Sequence, residues 1–139
     1  MSPGMTSIPL AAPRPDWARL VTDSLKQHGA WHTYAKLVEA RTAYPEDLSL
    51  RGYVEIVRNA IVREFLMNPK GLQAVPKLSA EFLTNFDRFN LSAQEGYLVS
   101  LIDGRMDLQK LLILSPFDAF NTFFHFAKLQ RERAIVMPQ

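Results

Sequence analysis

Residues 91–136, LSAQEGYLVSLIDGRMDLQKLLILSPFDAFNTFFHFAKLQRERAIV, contain the signals that decide the fold of this chain. Ser92 and Glu95 form an S-x-x-E capping box, in which both side chains bond free backbone N–H groups at a helix start. The Asp-Gly pair at 103–104 ends that helix, because glycine adopts the left-handed conformation common at helix C-termini. Asp107 is placed to cap a second helix.

The end of this segment predicts a third helix followed by a strand. Ser115 with Pro116 supplies a cap and a proline at the first helical position, and Asp118 strengthens this start. The β-prone run at 134–137 can pair with a short edge strand within residues 74–78. Three short helices closed by a β-ribbon predict a winged-helix-like unit.

The first half of the chain shows the periodicity of helices. Apolar residues recur every three or four positions across 15–28 and again across 30–44, with a glycine turn between the two runs. A longer helix is predicted at 47–67, where an apolar stripe ends before a proline. Residues 69–79 have the composition of a linker, and residues 1–13 have that of a flexible tail.

The two helices at 15–44 resemble one tetratricopeptide (TPR) repeat, a helical hairpin of about 34 residues. Five positions carry the family pattern: Trp17, Leu20, Leu37, Ala40 and Pro45. The chain departs from the pattern at Val21, Ser24 and Thr33, where the family has a small residue, a tyrosine and a small residue. The resemblance implies a helical hairpin for which the helix at 47–67 serves as a cap.

The segment at 91–136 also resembles the small winged-helix-like C-terminal module of bacterial, deltaproteobacterial-type signalling proteins. The matching positions are Leu91, Ser92, Glu95 to Leu98, Ser100, Ile102 to Gly104, Leu111, Leu112, Leu114 and Ser115. The chain departs from these relatives in its last helix, which is crowded with phenylalanine. The resemblance implies an intracellular interaction or output module that performs no catalysis, and it carries over no site residues.

The composition limits the classes of protein to consider. The 139 residues are 47% hydrophobic and 22% charged, which is typical of a soluble globular protein, and no apolar run is long enough to span a membrane. The absence of cysteine excludes disulfide scaffolds and thiolate metal sites. The first fifteen residues lack the basic start of a secretory signal, so the sequence predicts a cytoplasmic location.

The histidines and carboxylates give no pattern of a catalytic or metal centre. His28 and His32 are four positions apart, but Gly29 lies between them in a predicted turn, and His125 stands alone among aromatic residues. Motifs that bind phosphates or zinc, or that place a catalytic serine, are missing from the sequence. We therefore predict a protein without enzymatic activity, without a cofactor and without a metal.

The balance of charge argues against nucleic acid as a partner. The chain carries a net charge of +2. Residues 91–139 contribute nothing to that charge, because their five basic and five acidic side chains cancel. These are Arg105, Lys110, Lys128, Arg131 and Arg133 against Glu95, Asp103, Asp107, Asp118 and Glu132. A DNA-reading helix presents basic and amide side chains to base edges, whereas the third predicted helix offers mostly phenylalanine.

The third predicted helix carries more apolar residues than one buried stripe can hold. On a helical wheel, one face collects Phe117, Phe120, Phe123, Phe124 and Ala127. Phe126 and Leu129 fall outside this face. They either pack on the N-terminal helices, which is the alternative we favour, or form an interface with a partner or a second copy. Together with Trp17, Trp31 and Tyr34, they are the candidate interface residues.

The sequence thus predicts a mostly α protein in two parts. A TPR-like helical hairpin plus capping helix occupies 14–68, and a linker or short strand follows at 69–79. A winged-helix-like three-helix unit with a short β-ribbon occupies 80–139. The favoured function is a non-enzymatic protein–protein interaction module, acting as a signalling adaptor or assembly subunit through a protein partner or self-association. The alternative is a DNA-binding transcriptional regulator of winged-helix type.

We expect the protein to bind a mixed-sequence DNA duplex no more tightly than the micromolar range at physiological salt, because residues 91–139 carry no net positive charge. Fluorescence anisotropy of a labelled duplex, titrated at two salt concentrations, measures this affinity. Nanomolar binding that weakens steeply with added salt would contradict the expectation and favour the DNA-binding alternative.

Overall fold

A computed structural model describes residues 14–138; Gln139 and residues 1–13, the predicted flexible tail, lie outside the described residues. Within that range the protein is mostly helical with one two-stranded antiparallel sheet, which confirms the predicted class. The elements are α1 Trp17–His28, α2 Ala30–Ala43, α3 Leu48–Leu66, β1 Lys77–Leu78, α4 Ala80–Thr84, α5 Ala93–Leu101, α6 Leu108–Leu114, α7 Ala119–Arg131 and β2 Ile135–Val136.

The chain divides into two compact units within α3, between Val57 and Arg58. The first unit holds α1, α2 and the start of α3, and the second unit holds the elements that follow. The sequence placed a linker further along, at 69–79, where the structure has a short 3-10 turn at Gly71–Gln73 and strand β1. Because α3 continues across the division, no local break in the sequence marks it.

Local sequence signals determine where α1 begins and where the chain turns from α1 into α2. Asp16 caps α1, and its carboxylate accepts the N–H of Arg19 at 3.2 Å. Gly29 follows α1 with a φ of 86°, in the left-handed region that glycine occupies without a steric penalty, and α2 begins at the next residue. The predicted extents of α1 and α2 are therefore confirmed.

A buried pair of hydroxyl groups joins α1 to α2. The Thr33 hydroxyl donates to the carbonyl oxygen of Gly29 at 2.8 Å, and its oxygen lies 2.7 Å from Ser24 Oγ, whose hydroxyl can donate to it. Both side chains are buried. These are two of the positions at which the chain departs from the tetratricopeptide pattern, and the two polar groups satisfy each other there.

Asp47 links α1 to the start of α3. Its carboxylate accepts the N–H of Leu50 at 3.1 Å and the indole N–H of Trp17 at 2.9 Å. The guanidinium of Arg14 lies 3.1 Å from the same carboxylate. The bond from Trp17 lowers the pKa of Asp47, and the Leu50 N–H and the Arg14 charge add to this effect. Asp47 therefore caps α3 and also satisfies a buried indole.

The predicted helix starts at Ser92 and Asp107 are confirmed in the second unit. Ser92 and Glu95 make both bonds of the capping box, each at 3.1 Å. Asp107 accepts the N–H of Lys110 at 2.9 Å and caps α6. Each of these bonds joins residues three positions apart, which is why sequence spacing alone could predict them.

The predicted stop of α5 at residues 103–104 is wrong. The helix ends at Leu101, and Gly104 instead provides a φ of 78° in the turn that follows. The Asp103 carboxylate organises this turn, because it accepts the N–H groups of Arg105 and Met106 at 2.8 and 3.0 Å. The glycine serves the loop between α5 and α6 rather than the end of the helix.

The predicted start of the third helix at Ser115 is also wrong. Asp118 caps α7, because its carboxylate accepts the N–H of Asn121 at 2.8 Å. Ser115 instead ends α6, and its hydroxyl accepts the N–H of Phe117 at 3.1 Å. The chain therefore makes a tight turn at residues 115–117 before α7 begins.

α7 ends in a Schellman motif. The N–H of Ala134 donates to the carbonyl of Leu129 at 2.9 Å, and the N–H of Arg133 donates to the carbonyl of Gln130 at 3.0 Å. Arg133 has a φ of 67°, in the left-handed region that favours glycine. The two bonds hold this residue in place and turn the chain from α7 into β2.

The β-ribbon predicted for the second unit is confirmed. Lys77 pairs with Val136, and Leu78 pairs with Ile135, in antiparallel register. The ribbon brings the segment before α4 beside the segment after α7, so it closes the part of the unit that runs from β1 to β2.

Ser79 fixes the corner where the ribbon meets α4. Its N–H donates to the carbonyl of Ala134 at 2.9 Å, and its hydroxyl donates to the carbonyl of Arg133 at 2.7 Å. The same hydroxyl accepts the N–H of Phe82 at 3.0 Å and caps α4. One serine therefore ties a helix start to the end of the Schellman motif.

Arg58 fastens the α3 part of the second unit to α7. Its guanidinium carbon lies 4.5 Å from the centroid of the Phe124 ring and 4.9 Å from that of Phe120. Its Nη2 donates to Oδ1 of Asn121 at 2.7 Å. The planar cation thus combines two ring contacts with a hydrogen bond, a geometry that lysine could not reproduce.

We expect Thr33→Val to lower the free energy of unfolding by about 1–3 kcal/mol, because valine removes the partner of the buried Ser24 hydroxyl. Urea unfolding followed by circular dichroism measures the change. The double variant Ser24→Ala/Thr33→Val is the control, since removing both hydroxyls should cost less than the sum of the single changes. Additive single effects would contradict the pairing.

Candidate functional site

Phe126 and Leu129, for which the sequence left packing and an interface as alternatives and favoured packing, lie in the interior of the protein. Both have a relative exposure of 0%. α7 also buries Phe123, Phe124 and Ala127, so its apolar residues are covered on more than one face. Phe126 and Leu129 are therefore packing residues and present no surface to a second chain.

The three predicted interface residues of the first unit are Trp17, Trp31 and Tyr34. Trp17 is buried, and its indole donates to Asp47, so it is a packing residue. Trp31 and Tyr34 are half-buried on successive turns of α2. Their rings meet edge to face with centroids 6.0 Å apart. Trp31 and Tyr34 therefore support each other, as their spacing on α2 allows.

Apolar side chains are exposed on α5, on α6 and in the turn after α6. Tyr97, Ile113, Leu114 and Pro116 are exposed and Phe117 is half-buried, and we call these five residues the α5–α6 surface. Ile113 is 76% exposed, Leu114 is 49% exposed and Tyr97 is 47% exposed. The Phe117 ring packs edge to face on Tyr97 with centroids 6.2 Å apart, which joins the turn to α5.

The α5–α6 surface carries little charge. Glu95 is the charged residue of α5 and is buried, and Lys110 is the charged residue of α6 and is exposed. The loop at 103–107 adds further charges, and the exposed Asp118 directly follows Phe117. The other exposed residues of the two helices are uncharged: Ala93, Gln94, Gly96, Ser100 and Gln109. Exposed apolar side chains with few charged residues among them have the composition of the core of a protein interface.

Glu95 anchors α5 from its buried face. The side chain has 0% relative exposure. Its Oε1 accepts the N–H of Ser92 at 3.1 Å, while Oε2 lies 3.0 Å from His125 Nδ1 and 3.1 Å from Lys128 Nζ. His125 and Lys128 are three positions apart on α7, so both face the same carboxylate. We call these residues the Glu95 cluster.

The contacts of Glu95 determine its charge. Burial by itself raises the pKa of the carboxyl, but the bonds from His125, Ser92 and Lys128 outweigh burial and lower the pKa to about 2. Glu95 is therefore a carboxylate at neutral pH. Glu132 shows the opposite effect, because burial and the negative charge of Glu95 raise the pKa of its carboxyl against the pull of Lys128.

The Glu95 cluster is built as a structural tie rather than as a reactive centre. A glutamate beside a histidine and a lysine can perform acid–base chemistry only where a substrate reaches the carboxylate. Here the carboxylate is fully buried and already receives three donors. Removing one partner of a buried charge that is satisfied in this way is costly, because the other charge is left buried without a partner.

The sequence contained two signals for the α5–α6 surface that the sequence analysis did not use. Residues 111–114 are four consecutive apolar residues, which is more than one buried helix face can hold. Because Leu111 faces the core, Ile113, two positions later, turns towards solvent; Leu114 shares the side of Leu111 but is the last residue of the helix and is 49% exposed. The second signal is that α5 has a single charged residue, Glu95, which leaves its outer face uncharged.

The histidines of the first unit form no chemical centre. His28 and His32 stack with ring centroids 4.4 Å apart. Partial desolvation lowers the pKa of the His32 ring, and the charges of His28 and Lys36 add to the effect. Among residues 14–138, no group of three or more histidine, cysteine, aspartate or glutamate side chains could hold a metal.

A shallow groove of about 260 Å³ lies beside β1 in the second unit. It is lined by Lys77, Leu78, Leu83, Ile102, Asp103 and Gly104. The Asp103 carboxylate is engaged by the Arg105 and Met106 N–H groups, and these bonds lower its pKa. The groove therefore offers mainly apolar walls rather than a reactive group.

Comparison with protein-family models, with curated proteins and with solved structures finds no match to this chain. In the part of the chain that the structure describes, no helix has both the length and the apolar character needed to cross a membrane. The function is therefore inferred from the chain's own residues.

We expect Glu95→Gln to lower the free energy of unfolding by about 3 kcal/mol at pH 7, because the carboxyl pKa falls from 4.5 to about 2 on folding. Glutamine still suits the capping box, so the loss reports on the contacts with α7. The folded-state pKa lies below the unfolded one, so the stabilisation is present above about pH 4.5 and disappears as the pH falls towards 2.

Urea unfolding of the wild type and of Glu95→Gln between pH 2 and 7 measures this difference. Glu81→Gln is the control, because Glu81 forms an exposed ion pair with Arg88 and its loss should change stability by less than about 1 kcal/mol. A gap between wild type and Glu95→Gln that does not shrink in acid would contradict the role of the carboxylate.

Proposed function

We propose that this chain is a protein–protein interaction module without catalytic activity, an adaptor or assembly subunit that binds through the α5–α6 surface. The observation that carries the proposal is the joint exposure of Tyr97, Ile113 and Leu114 on a surface with little charge. Burying an apolar side chain of this size contributes about 1.5–3 kcal/mol. A partner that covers these three side chains therefore gains substantial binding energy.

The Glu95 cluster supports the proposal because it holds the surface in one position. α5 is tied to α7 through charge-assisted contacts at 3.0 and 3.1 Å. Tyr97 follows Glu95 by two residues, so the ring emerges from a helix that cannot easily shift. A surface that is ordered before binding loses less conformational entropy when a partner arrives.

The architecture that fits this function is a TPR-like helical hairpin with a capping helix, followed by a winged-helix-like unit. The helical hairpin of α1 and α2, which turns at Gly29 and is followed by α3, supports the first part. The order of α5, α6 and α7, followed by the β1–β2 ribbon, supports the second part. Both assignments belong to the proposal.

A DNA-binding regulator of winged-helix type is the less favoured alternative. In such a protein, α7 would be the helix that reads base edges. Its middle is instead occupied by buried residues, namely Thr122, Phe123, Phe124, Phe126, Ala127 and Leu129. This distribution favours a packing role for α7 and leaves binding to the α5–α6 surface.

The proposal is tested by placing a photo-crosslinking amino acid at Ile113 of the full chain in the cells that naturally express it. We expect a discrete crosslinked protein, because Ile113 is 76% exposed and belongs to the surface. Introducing Leu114→Asp in the same chain should abolish this product, since a charge in an apolar contact is costly to bury.

Met67 is the matched control position for crosslinking. It is 74% exposed and also lies in the second unit, but it stands outside the α5–α6 surface. We expect it to give no discrete product. Equal crosslinking patterns at Ile113 and Met67, or a pattern unaffected by Leu114→Asp, would overturn the proposal.

A further inference from the structure

We infer that a groove between the end of α2 and the start of α3 binds a phosphorylated side chain of a partner protein. The inference goes beyond the proposed function, because it concerns the first unit and makes no use of the α5–α6 surface. The groove has a volume of about 320 Å³. It is lined by Val38, Arg41 and Thr42 of α2, by Pro45 of the turn and by Arg51 of α3. We call it the arginine groove.

The arginine groove carries a positive charge that its surroundings do not neutralise. Arg41 and Arg51 both line it, and none of the described residues that line it is acidic. Among residues 14–138, no carboxylate forms an ion pair with either guanidinium. Glu46 and Asp47, in the turn between the two arginines, line a different cavity, where Asp47 pairs with Arg14 at 3.1 Å. Two guanidinium groups without a carboxylate are the electrostatic complement of an anion.

The position of Arg51 is not explained by its own helix. Arg51 is the fourth residue of α3, and in this first turn the helix dipole disfavours a cation. Its Nη2 donates to the carbonyl oxygen of Pro45 at 3.4 Å, which uses one of the five N–H donors of the guanidinium. Arg41 lies in the last turn of α2, where the dipole favours a cation. The dipoles thus account for Arg41 alone, whereas an anion in the groove accounts for both arginines.

The donors of the groove suit a phosphoryl group. Each guanidinium presents a planar fork of N–H groups that matches two oxygens of a phosphate. Thr42 adds a hydroxyl that can donate to a further oxygen. A phosphorylated side chain carries a charge of about −1.5 to −2 at neutral pH, so two arginines balance it. A carboxylate has a single charge and would leave one of the two guanidinium groups without a counter-ion.

The openness of the groove favours a side chain on a protein over a free small molecule. All five lining residues are exposed. Sites for free small molecules usually bury about 70–90% of the ligand surface, which an open groove does not provide. A side chain presented by a protein surface needs to bury only its end. Val38, which is 43% exposed, and Pro45 offer apolar contacts for the carbon atoms next to the phosphate.

Amide chemical shifts of the full chain, titrated with short alanine peptides at an ionic strength of about 0.1 M, test the inference. The peptides carry phosphoserine, phosphothreonine or phosphotyrosine at the centre. We expect at least one to bind with a dissociation constant of about 1 millimolar or lower, because an exposed site is partly screened. The shifts should be largest around Thr42 and Arg51.

Two further ligands separate a phosphorylated side chain from other anions. The same peptide with glutamate at the centre should bind at least about tenfold more weakly, because it carries one charge instead of nearly two. Inorganic phosphate should also bind at least about tenfold more weakly, because it has no carbon atoms to contact Val38 and Pro45.

Variants of the two arginines test which side chains hold the ligand. Arg41→Gln and Arg51→Gln should each raise the dissociation constant at least about tenfold. Glutamine forms helices about as well as arginine, so their urea midpoints should stay near that of the wild type. Arg51→Lys keeps the charge and loses the planar fork, and it should also weaken binding. Such a loss distinguishes recognition by the fork from attraction by charge alone.

Arg19→Gln is the matched control for these variants. Arg19 belongs to the same unit, its side chain is 81% exposed, and it lies 3.8 Å from the Asp23 carboxylate outside the groove. Its substitution removes the same charge from the unit as Arg41→Gln or Arg51→Gln does. The dissociation constant should therefore change by less than about twofold, because long-range charge effects are screened by salt.

The inference is overturned if none of the phosphorylated peptides binds below about 10 millimolar. Equal affinity for a phosphorylated peptide and for inorganic phosphate also overturns it, because the groove then holds the free ion. The same holds if Arg19→Gln weakens binding as much as Arg41→Gln and Arg51→Gln do. Crosslinking at Ile113 does not involve this groove, so it tests the proposed function separately.

Discussion

The second unit depends on the carboxylate of Glu95. One oxygen completes the capping box with Ser92 and starts α5, and the other receives His125 and Lys128 from α7. A single side chain therefore controls where α5 begins and where it is attached. With its one charged residue turned inwards, α5 is left with an outer face of small, polar and aromatic residues. The surface that we assign to binding is thus a consequence of how the helix is anchored.

Those parts of the fold that arise from contacts a few residues apart could be predicted from the sequence. Examples are the helix caps at Ser92 and Asp107 and the turn at the glycine between α1 and α2. Where two local signals competed, spacing could not choose between them. Ser115 and Asp118 are both good caps, and the helix starts at Asp118 because Ser115 is used to end α6. The choice depends on the preceding helix, which a local pattern does not include.

Contacts between distant residues could not be predicted in the same way. Glu95 and His125 are thirty positions apart, and no pattern in the sequence indicates that the two side chains are in contact. The interior position of Phe126 follows from how much of α7 is covered, whereas the helical wheel shows only which residues share a face. The α5–α6 surface could not be predicted for the same reason. The apolar run at 111–114 indicates that some of its residues are exposed, but it does not indicate which ones.

The bond from Ser79 to Arg133 joins residues 54 positions apart, and this separation orders the events of folding. Closing so long a loop costs chain entropy before any contact repays it, whereas the caps of α5, α6 and α7 each close within three residues. The helices can therefore form first, and the ribbon seals the unit last. During synthesis on the ribosome, the ribbon cannot close until residue 136 has emerged, so the apolar interior of the unit stays incompletely covered until then.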